Sequence, residues 1–268
     1  MAALSAIMTV MMRAAEKAGR GLMRDFGEVE NLQVSEKSPG QFVTAADKRA
    51  EETIHFNLSK DRPDFGFLME EHGEIKGNDP TRRFIIDPID GTHNFMHGIP
   101  HWCISIALEE KGEITAALIA DPLRHEMFFA EKGAGAFINN NRRLRVSGRR
   151  DLRSAIIASW FVYGDEYVKN ENRMIKHEDE VRRQCGHLRQ MGSACLEYAY
   201  IAAGRMDGFF QGPLSPWDNA AGSLIIREAG GLFTNWEGKK ENAVYDGFVI
   251  AGNPDIHRAL YEIAVKGK

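Results

Sequence analysis

Cysteine is scarce: 3 in 268 residues, at Cys103, Cys185 and Cys195. They are odd in number, widely spaced and make no CxxC pair, so neither a disulfide framework nor a zinc motif is indicated. A reducing cytoplasm is the natural compartment for such a chain. Any apolar run approaching the ~18 residues of a membrane span is also missing. The Met-rich start, Met1 to Met12, has no basic n-region and no cleavage site, so a targeting peptide is not indicated. A basic excess is absent too. Lys and Arg number 34 against 38 Asp and Glu, for a net charge of −4, which argues against a protein that coats nucleic acid. No GxGxxG follows a strand and no GxxxxGK[ST] occurs, which removes dinucleotide-binding and P-loop folds. No repeat, heptad or low-complexity tract is visible.

What is present is an ordinary globular composition, 43% hydrophobic and 27% charged, with ample material for a core. Leu4, Ile7, Met8, Met11 and Met12 recur at helical spacing and predict a first helix to about Phe26. Ala46, Ala50, Ile54 and Leu58 repeat every four residues and predict a second, to Lys60. Short β-favouring runs follow at 65–69 and 84–86, then at 102–108, 114–121 and 126–131, with Gly- or Pro-bearing turns between them. Past residue 150 a strand is expected at 155–159, a helix at 170–183, a strand at 187–191 and a helix at 193–203. A further helix opens at Trp217, and 247–251 and the segment from Pro254 read as a last strand and helix. Alternating helices and antiparallel strands imply an α+β fold of stacked layers. Residues 1–268 read as one unit with two intimate halves, about 1–150 and 151–268.

The chemistry concentrates in Arg83 to Asn94. Phe84-Ile85-Ile86 reads as the end of a buried strand. Asp87-Pro88-Ile89-Asp90 then places two carboxylates three residues apart across a proline, where the chain is expected to leave the sheet. Gly91-Thr92 follows, before a short helix over 94–97. Carboxylates held at a strand end beside free N–H groups suit a hard cation with a bound anion, of which Mg²⁺ with phosphate is the commonest pair. The same residues also make an ordinary turn. Glu70-Glu71 ends the neighbouring strand, and strand ends of an α/β layer can bring such acids together. Asp218 stands at a helix start, and Asp47 in the first turn of another, where an acid is favoured by the helix dipole alone.

Taken in order, these stretches resemble the inositol monophosphatase family. Asp87-Pro88-Ile89-Asp90-Gly91-Thr92-His93-Asn94-Phe95 is similar to its first signature. Trp217-Asp218-Asn219-Ala220-Ala221-Gly222, running to Glu228-Ala229-Gly230-Gly231, is similar to its second. Val43-Thr44-Ala45-Ala46-Asp47, Glu70-Glu71 and Gly192-Ser193-Ala194 behind Arg189 match further elements. The resemblance implies an alternating αβαβα layered sandwich of the sugar-phosphatase type. It also implies Mg²⁺ dependence, with Mn²⁺ as a substitute, Li⁺ sensitivity and a homodimer. It assigns Glu70, Asp87, the Ile89 carbonyl, Asp90 and Asp218 to metal, Glu70 and Thr92 to the attacking water, and Asp47 to the Thr92 hydroxyl. Gly91 and Thr92 would hold phosphate oxygens. Asp90, Arg189, Gly192, Ser193, Ala194, Gln211 and Asp218 would select the substrate.

The implied reaction is hydrolysis of inositol 1-phosphate to inositol and phosphate. Relatives act instead on histidinol phosphate, fructose bisphosphate or phosphoadenosine phosphate. Bacterial extragenic-suppressor-type relatives serve as RNA-polymerase or ribosome-biogenesis partners. Three departures stand out. Gln211 replaces the Glu of many inositol-specific members, Phe84 stands where Trp or another apolar residue is frequent, and His93 replaces a common Thr and reads as a solvated loop residue or as a weak modulator near the phosphate. Arg142-Arg143-Leu144-Arg145 and Arg149-Arg150 are basic segments that read as solvated surface or as an interaction face.

Overall fold

The computed structural model describes residues 4–28, 34–38, 41–139, 142–159 and 179–266. Helix α1 (Ala6–Gly27) begins at Ser5, whose side chain accepts the Met8 N–H at 3.1 Å. Met8, Met11, Ala15, Ala18 and Leu22 form its buried stripe. The hairpin β1 (Val34–Ser38) and β2 (Gln41–Thr44) leads into α2 (Ala45–Asp61). Thr44 caps α2 in a capping box with Asp47, a device that contributes about 1 kcal/mol.

An eight-stranded sheet follows, built from β3 (Phe65–Met69), β4 (Gly73–Ile75), β5 (Asp79–Asp90), β6 (Cys103–Glu110), β7 (Glu113–Asp121), β8 (Glu126–Glu131), β9 (Gly135–Ile138) and β10 (Arg142–Arg143). The short helix α3 (Thr92–Met96) interrupts it after β5. Strand order is β10-β9-β8-β7-β6-β5-β3-β4. From β5 to β10 it is an antiparallel meander, of which β6 to β8 are the strands the sequence predicted, while β3 pairs with β5 in parallel.

The second sheet contains β11 (Ile156–Ala158), β12 (His187–Arg189), β13 (Gly208–Gln211), β14 (Leu232–Asn235) and β15 (Val249–Gly252), in the order β12-β11-β13-β15-β14. Here β11 lies parallel to both β12 and β13. Helices α4 (Ala194–Ala202) and α5 (Pro216–Glu228) sit between the sheets, and α6 (Pro254–Lys266) closes the chain.

The period-2 alternation of the strands sorts side chains into three cores. Phe84, Ile86, Ile104 and Ile106 pack under α1 and α2, against Met8, Met11 and Leu58. Ile85, Cys103 and Ala107 face the other way, onto Leu196, Tyr198 and Leu224 of the middle helices. Phe209, Val249 and Ala251 meet those helices from the second sheet. Phe210 and Ile250 turn outward onto Ile256, Leu260 and Ile263 of α6. The layers therefore run αβαβα, in the stacking expected.

Two local expectations change. The chain does not leave the sheet after Ile86; β5 continues through Asp87-Pro88-Ile89 to Asp90. Its register against β6 slips between Asp87, opposite Ser105, and Asp90, opposite Cys103. That bulge accommodates Pro88, which has no N–H to give the ladder. Strands β9 and β14, each only 4 residues long, lie where sequence patterning placed no strand. Of the helix expected at 170–183, residues 170–178 lie outside the described residues, and 179–184 are helical.

Candidate functional site

The bulge in β5 builds the site. Residues 87 and 90 of a regular strand would point to opposite faces. The extra residue brings both carboxylates to the middle-layer side, where α5 supplies Asp218. One carboxylate oxygen from each of Asp87, Asp90 and Asp218 lies within 4.8 Å of the others. Asp87 and Asp90 are buried, and Asp218 is half-buried.

Backbone donors aim each group. Asp87 Oδ1 accepts the Ile89 N–H at 3.0 Å, inside the bulge. Asp90 Oδ2 accepts the Ser193 hydroxyl at 2.5 Å and the Cys195 N–H at 2.8 Å. These donors open α4, so Asp90 sits at the positive end of a helix. Asp218 Oδ2 accepts the Ser215 N–H at 2.7 Å as the third residue of α5, behind Pro216.

The three acids repel one another. Burial first, then Glu70, Asp90, Cys195 and Asp218, push the Asp87 carboxyl well above its ordinary range. Burial, then Asp90 and Glu70, do the same to Asp218, with the Ser215 N–H pulling the other way. Burial raises Asp90 too, against the opposing pull of Ser193 and Cys195. No cation figures among these causes. Buried carboxylates without a counter-charge are costly, and an all-oxygen donor set fits a hard divalent ion that supplies one.

Glu70 follows β3 directly, and its N–H donates to the Ile86 carbonyl at 3.2 Å. The adjoining turn is held by Glu51, a buried acid of α2 that accepts the Glu71 and His72 N–H groups at 2.9 and 3.0 Å. Asp47 is fully buried and spends Oδ2 on Thr44, at 2.7 Å to the N–H and 2.6 Å to the hydroxyl. Its Oδ1 lies 3.4 Å from the Thr92 hydroxyl, whereas the Ile89 carbonyl lies at 3.0 Å. The hydroxyl has one proton, and both the expected Asp47 and the nearer Ile89 carbonyl are within its reach.

Gly91, at φ +99°, starts α3, and a Cβ there would meet the His101 carbonyl at 3.0 Å and the Gly192 carbonyl at 3.1 Å. Only glycine fits both the conformation and the space. Asn94 ties the two loops together. Its Nδ2 donates to the His101 carbonyl at 2.7 Å and the Met191 carbonyl at 2.8 Å. Glu197 holds the same loop from below, accepting the Met191 N–H at 3.0 Å. Asn94, Glu197 and Glu51 were not anticipated as site residues. The one readable signal was Glu51, an acid four residues after Asp47 on the buried face of a helix.

The remaining candidates divide. Ser193 and Ala194 stand at the start of α4, beside Asp90, with Gly192 just before them. Gln211 is buried at the end of β13, and neither its amide oxygen nor its nitrogen has a partner among the described residues. Arg189 is exposed on β12 and donates to the neighbouring Leu188 carbonyl at 3.0 Å; no contact joins it to the acidic set. His93 is exposed on α3. Of the basic segments, Arg149 is bound at 3.0 Å to buried Asp207, whereas Arg142 and Arg150 are exposed. No helix among the described residues is long and apolar enough to cross a membrane.

The fold and site thus define a layered α+β protein with an uncompensated carboxylate cluster at a sheet end, flanked by two helix N-termini. The pattern of the inositol monophosphatase family matches residues 3–267. An inositol-1-monophosphatase of Mesorhizobium japonicum is 48% identical over 270 residues, covering 98% of each chain. The Nus factor SuhB of Escherichia coli is 38% identical over 255 residues, covering 95% of this chain and 94% of that one. A crystal structure of extragenic suppressor protein suhB from Bartonella henselae superposes with a TM-score of 0.93 at 48% identity, over 98% of this chain and 100% of that one. The chain belongs to the inositol monophosphatase family.

Proposed function

We propose that the chain is a divalent-cation-dependent phosphomonoesterase that hydrolyses myo-inositol monophosphate to inositol and phosphate. The observation that carries this reading is the convergence of Asp87, Asp90 and Asp218 within 4.8 Å. In this reading those carboxylates, Glu70 and the Ile89 carbonyl hold Mg²⁺, or Mn²⁺ in its place. When bound, the cation would neutralise charge on the phosphate and make a water more acidic. Thr92 positions that water. Its single proton goes to the Ile89 carbonyl or to Asp47, so its lone pairs stay free to accept from the water. Glu70 takes the water's second hydrogen. The N–H groups of Gly91 and Thr92 hold the phosphate oxygens that do not leave. Residues 1–150 supply this chemistry; residues 151–268 add Asp218 and the substrate contacts at Arg189, Gly192, Ser193, Ala194 and Gln211. The same reading takes the protein to be a homodimer, inhibited by Li⁺ and working in the cytoplasm; family membership supports these without testing them.

Gln211 favours a second substrate reading. A buried amide without partners both donates and accepts, unlike the carboxylate it replaces, and leaving it unpaired costs about 1–3 kcal/mol. The partner it awaits is a substrate group, and another phosphorylated polyol would serve as well as inositol. Phosphate release from inositol 1-phosphate, with and without Mg²⁺, tests both readings in the wild type beside Gln211→Glu. Efficient Mg²⁺-dependent release by the wild type supports inositol phosphate. Poor release rescued by Gln211→Glu keeps the phosphatase and moves the substrate elsewhere. No release from any phosphomonoester overturns the enzyme. The E. coli relative is named a Nus factor, and this chain takes a transcription-complex partner in the same way. Charge reversal at Arg142 and Arg150 tests that without disturbing Arg149; unchanged partner binding would remove these arginines from the contact.

A further inference from the structure

Directly behind Asp90, the thiols of Cys103 on β6 and Cys195 in the first turn of α4 come together, both fully buried. One oxygen of Asp90 and the two sulfur atoms all lie within 4.8 Å of one another. Cys103 Sγ is 3.7 Å from Asp90 Oδ2 and 3.8 Å from the Ser193 hydroxyl. The Cys195 thiol donates to the Asp218 carbonyl at 3.2 Å. Neither thiol has a part in the reaction proposed above. Their chemistry is also unlike that of the acidic set beyond Asp90: two soft sulfurs with one carboxylate, and a hydroxyl alongside, is a donor set that Mg²⁺ avoids and thiophilic ions prefer. Zn–S bonds of ~2.3 Å put tetrahedral sulfurs ~3.8 Å apart, so a contraction of at most about 1 Å would bring these donors to that spacing.

We propose that Cys103, Cys195 and Asp90 form a second cation site, for a thiophilic divalent ion such as Zn²⁺, which shares Asp90 with the acidic set and disables that set when filled. Binding breaks two S–H bonds and forms two S–metal bonds, and the two protons leave to solvent. Two positive charges enter as two leave, so the net charge of the buried cluster does not change and no new charge is buried. Asp90 Oδ2 already faces the sulfurs at 3.7 Å from Cys103 Sγ, so a cation held there draws on the carboxylate that Asp87 and Asp218 need, and sets a second positive charge beside theirs. The sequence hides this site because its cysteines lie on separate elements and form no spaced motif. The disabling half of the proposal rests on the phosphatase reading; the binding half does not.

Cd²⁺ is the probe, read by the ultraviolet charge-transfer absorbance of its thiolate bonds. A Cys185→Ser background removes the half-buried third thiol and leaves both buried ones native, so no core variant is needed for the first result. The expected outcome is a band that saturates at one Cd²⁺ per chain and persists in Asp87→Asn. Cys103→Ala or Cys195→Ala should weaken Cd²⁺ binding at least about tenfold. Absence of the band in Cys185→Ser, or its survival when both cysteines are alanine, overturns the site. Zn²⁺ should also inhibit Mg²⁺-supported phosphate release by Cys185→Ser, at least about tenfold less effectively once Cys103 is alanine, each protein being read against its own Zn²⁺-free rate. A band without inhibition overturns the disabling half. A band from a protein inactive on every phosphomonoester overturns the phosphatase reading and leaves the thiol site standing.

Discussion

Asp207 and Asp121 are as deeply buried as Asp87 and Asp90, but the charges beside them are opposite: an arginine for each of the first two, other acids for the second. Asp207 accepts the Ser147 hydroxyl at 2.5 Å, Arg149 at 3.0 Å and the Ile156 N–H at 2.8 Å. Asp121 is held by Arg124 through its N–H at 3.0 Å and its guanidinium at 2.9 Å. Each is neutralised, and each fastens one segment to another. Asp87 accepts one backbone N–H at 3.0 Å, and the groups that raise it electrostatically are Glu70, Asp90, Cys195 and Asp218. The difference teaches what each buried acid is for. An acid paired inside the protein stabilises the fold; an acid left beside other acids destabilises it and awaits a charge from outside.

Substitutions should separate the two classes. Asp90→Asn should lower phosphate release by about a thousandfold, the several kcal/mol of charge stabilisation a metal site supplies, with little loss of folding stability. Steady-state assays beside urea melts would show both. Asp207→Asn should do the reverse. Losing charge-assisted bonds to Arg149, Ser147 and Ile156 should cost about 3 kcal/mol in a urea melt, with kcat preserved in the folded fraction. Arg149→Ala should cost less, about 1 kcal/mol, because that side chain is 49% exposed. Equal activity losses in Asp90→Asn and Asp207→Asn would erase the distinction.

Gly91→Ala should come next, destabilising by about 1–2 kcal/mol for the left-handed conformation alone. Its Cβ would also press on the His101 and Gly192 carbonyls, at 3.0 and 3.1 Å, so kcat should fall further than stability. A melt and a rate unchanged from wild type would show that the two loops yield freely.

The last effect is a pH dependence at Glu197. Burial first, and then Asp90, raise this carboxyl to about 8. A group raised in the folded state contributes stability fully below its unfolded value near 4.5, and that contribution is lost as pH rises through about 8. Glu197→Gln, which cannot ionise, should therefore flatten the fall in melting temperature across that window. An unchanged slope would mean that Glu197 is not the group responsible.

The layering was legible because apolar periodicity is strong in long elements. Met8, Met11 and Leu22 announce α1, and Ile85 and Ile86 part to opposite faces as alternation requires. The carboxylates were legible as residues, since Asp87-Pro88-Ile89-Asp90 is an unusual string at a strand end. Their convergence was not, because it depends on a bulge that only the pairing of β5 with β6 reveals. Strands β9 and β14 are too short to carry a pattern. Asn94 escaped notice because one of its acceptors, the Met191 carbonyl, lies far away in sequence, and Glu197 because its bond to the nearby Met191 N–H forms only once the loop folds back onto α4. Thr92 shows what analogy carries at a single bond: the expected Asp47 is within reach at 3.4 Å, and the Ile89 carbonyl, which no pattern marked as its partner, lies nearer at 3.0 Å.

The central claim is that Asp87, Asp90 and Asp218 form a charge cluster held in readiness for a divalent cation. Thermal melting of the wild type and Asp87→Asn, in EDTA and again in Mg²⁺, tests it most directly. In EDTA the variant should melt higher than the wild type, because one repelling charge is gone. Mg²⁺ should raise the wild-type melting temperature and leave the variant nearly unmoved. A variant that melts lower in EDTA, with the same response to Mg²⁺ as the wild type, would contradict the account.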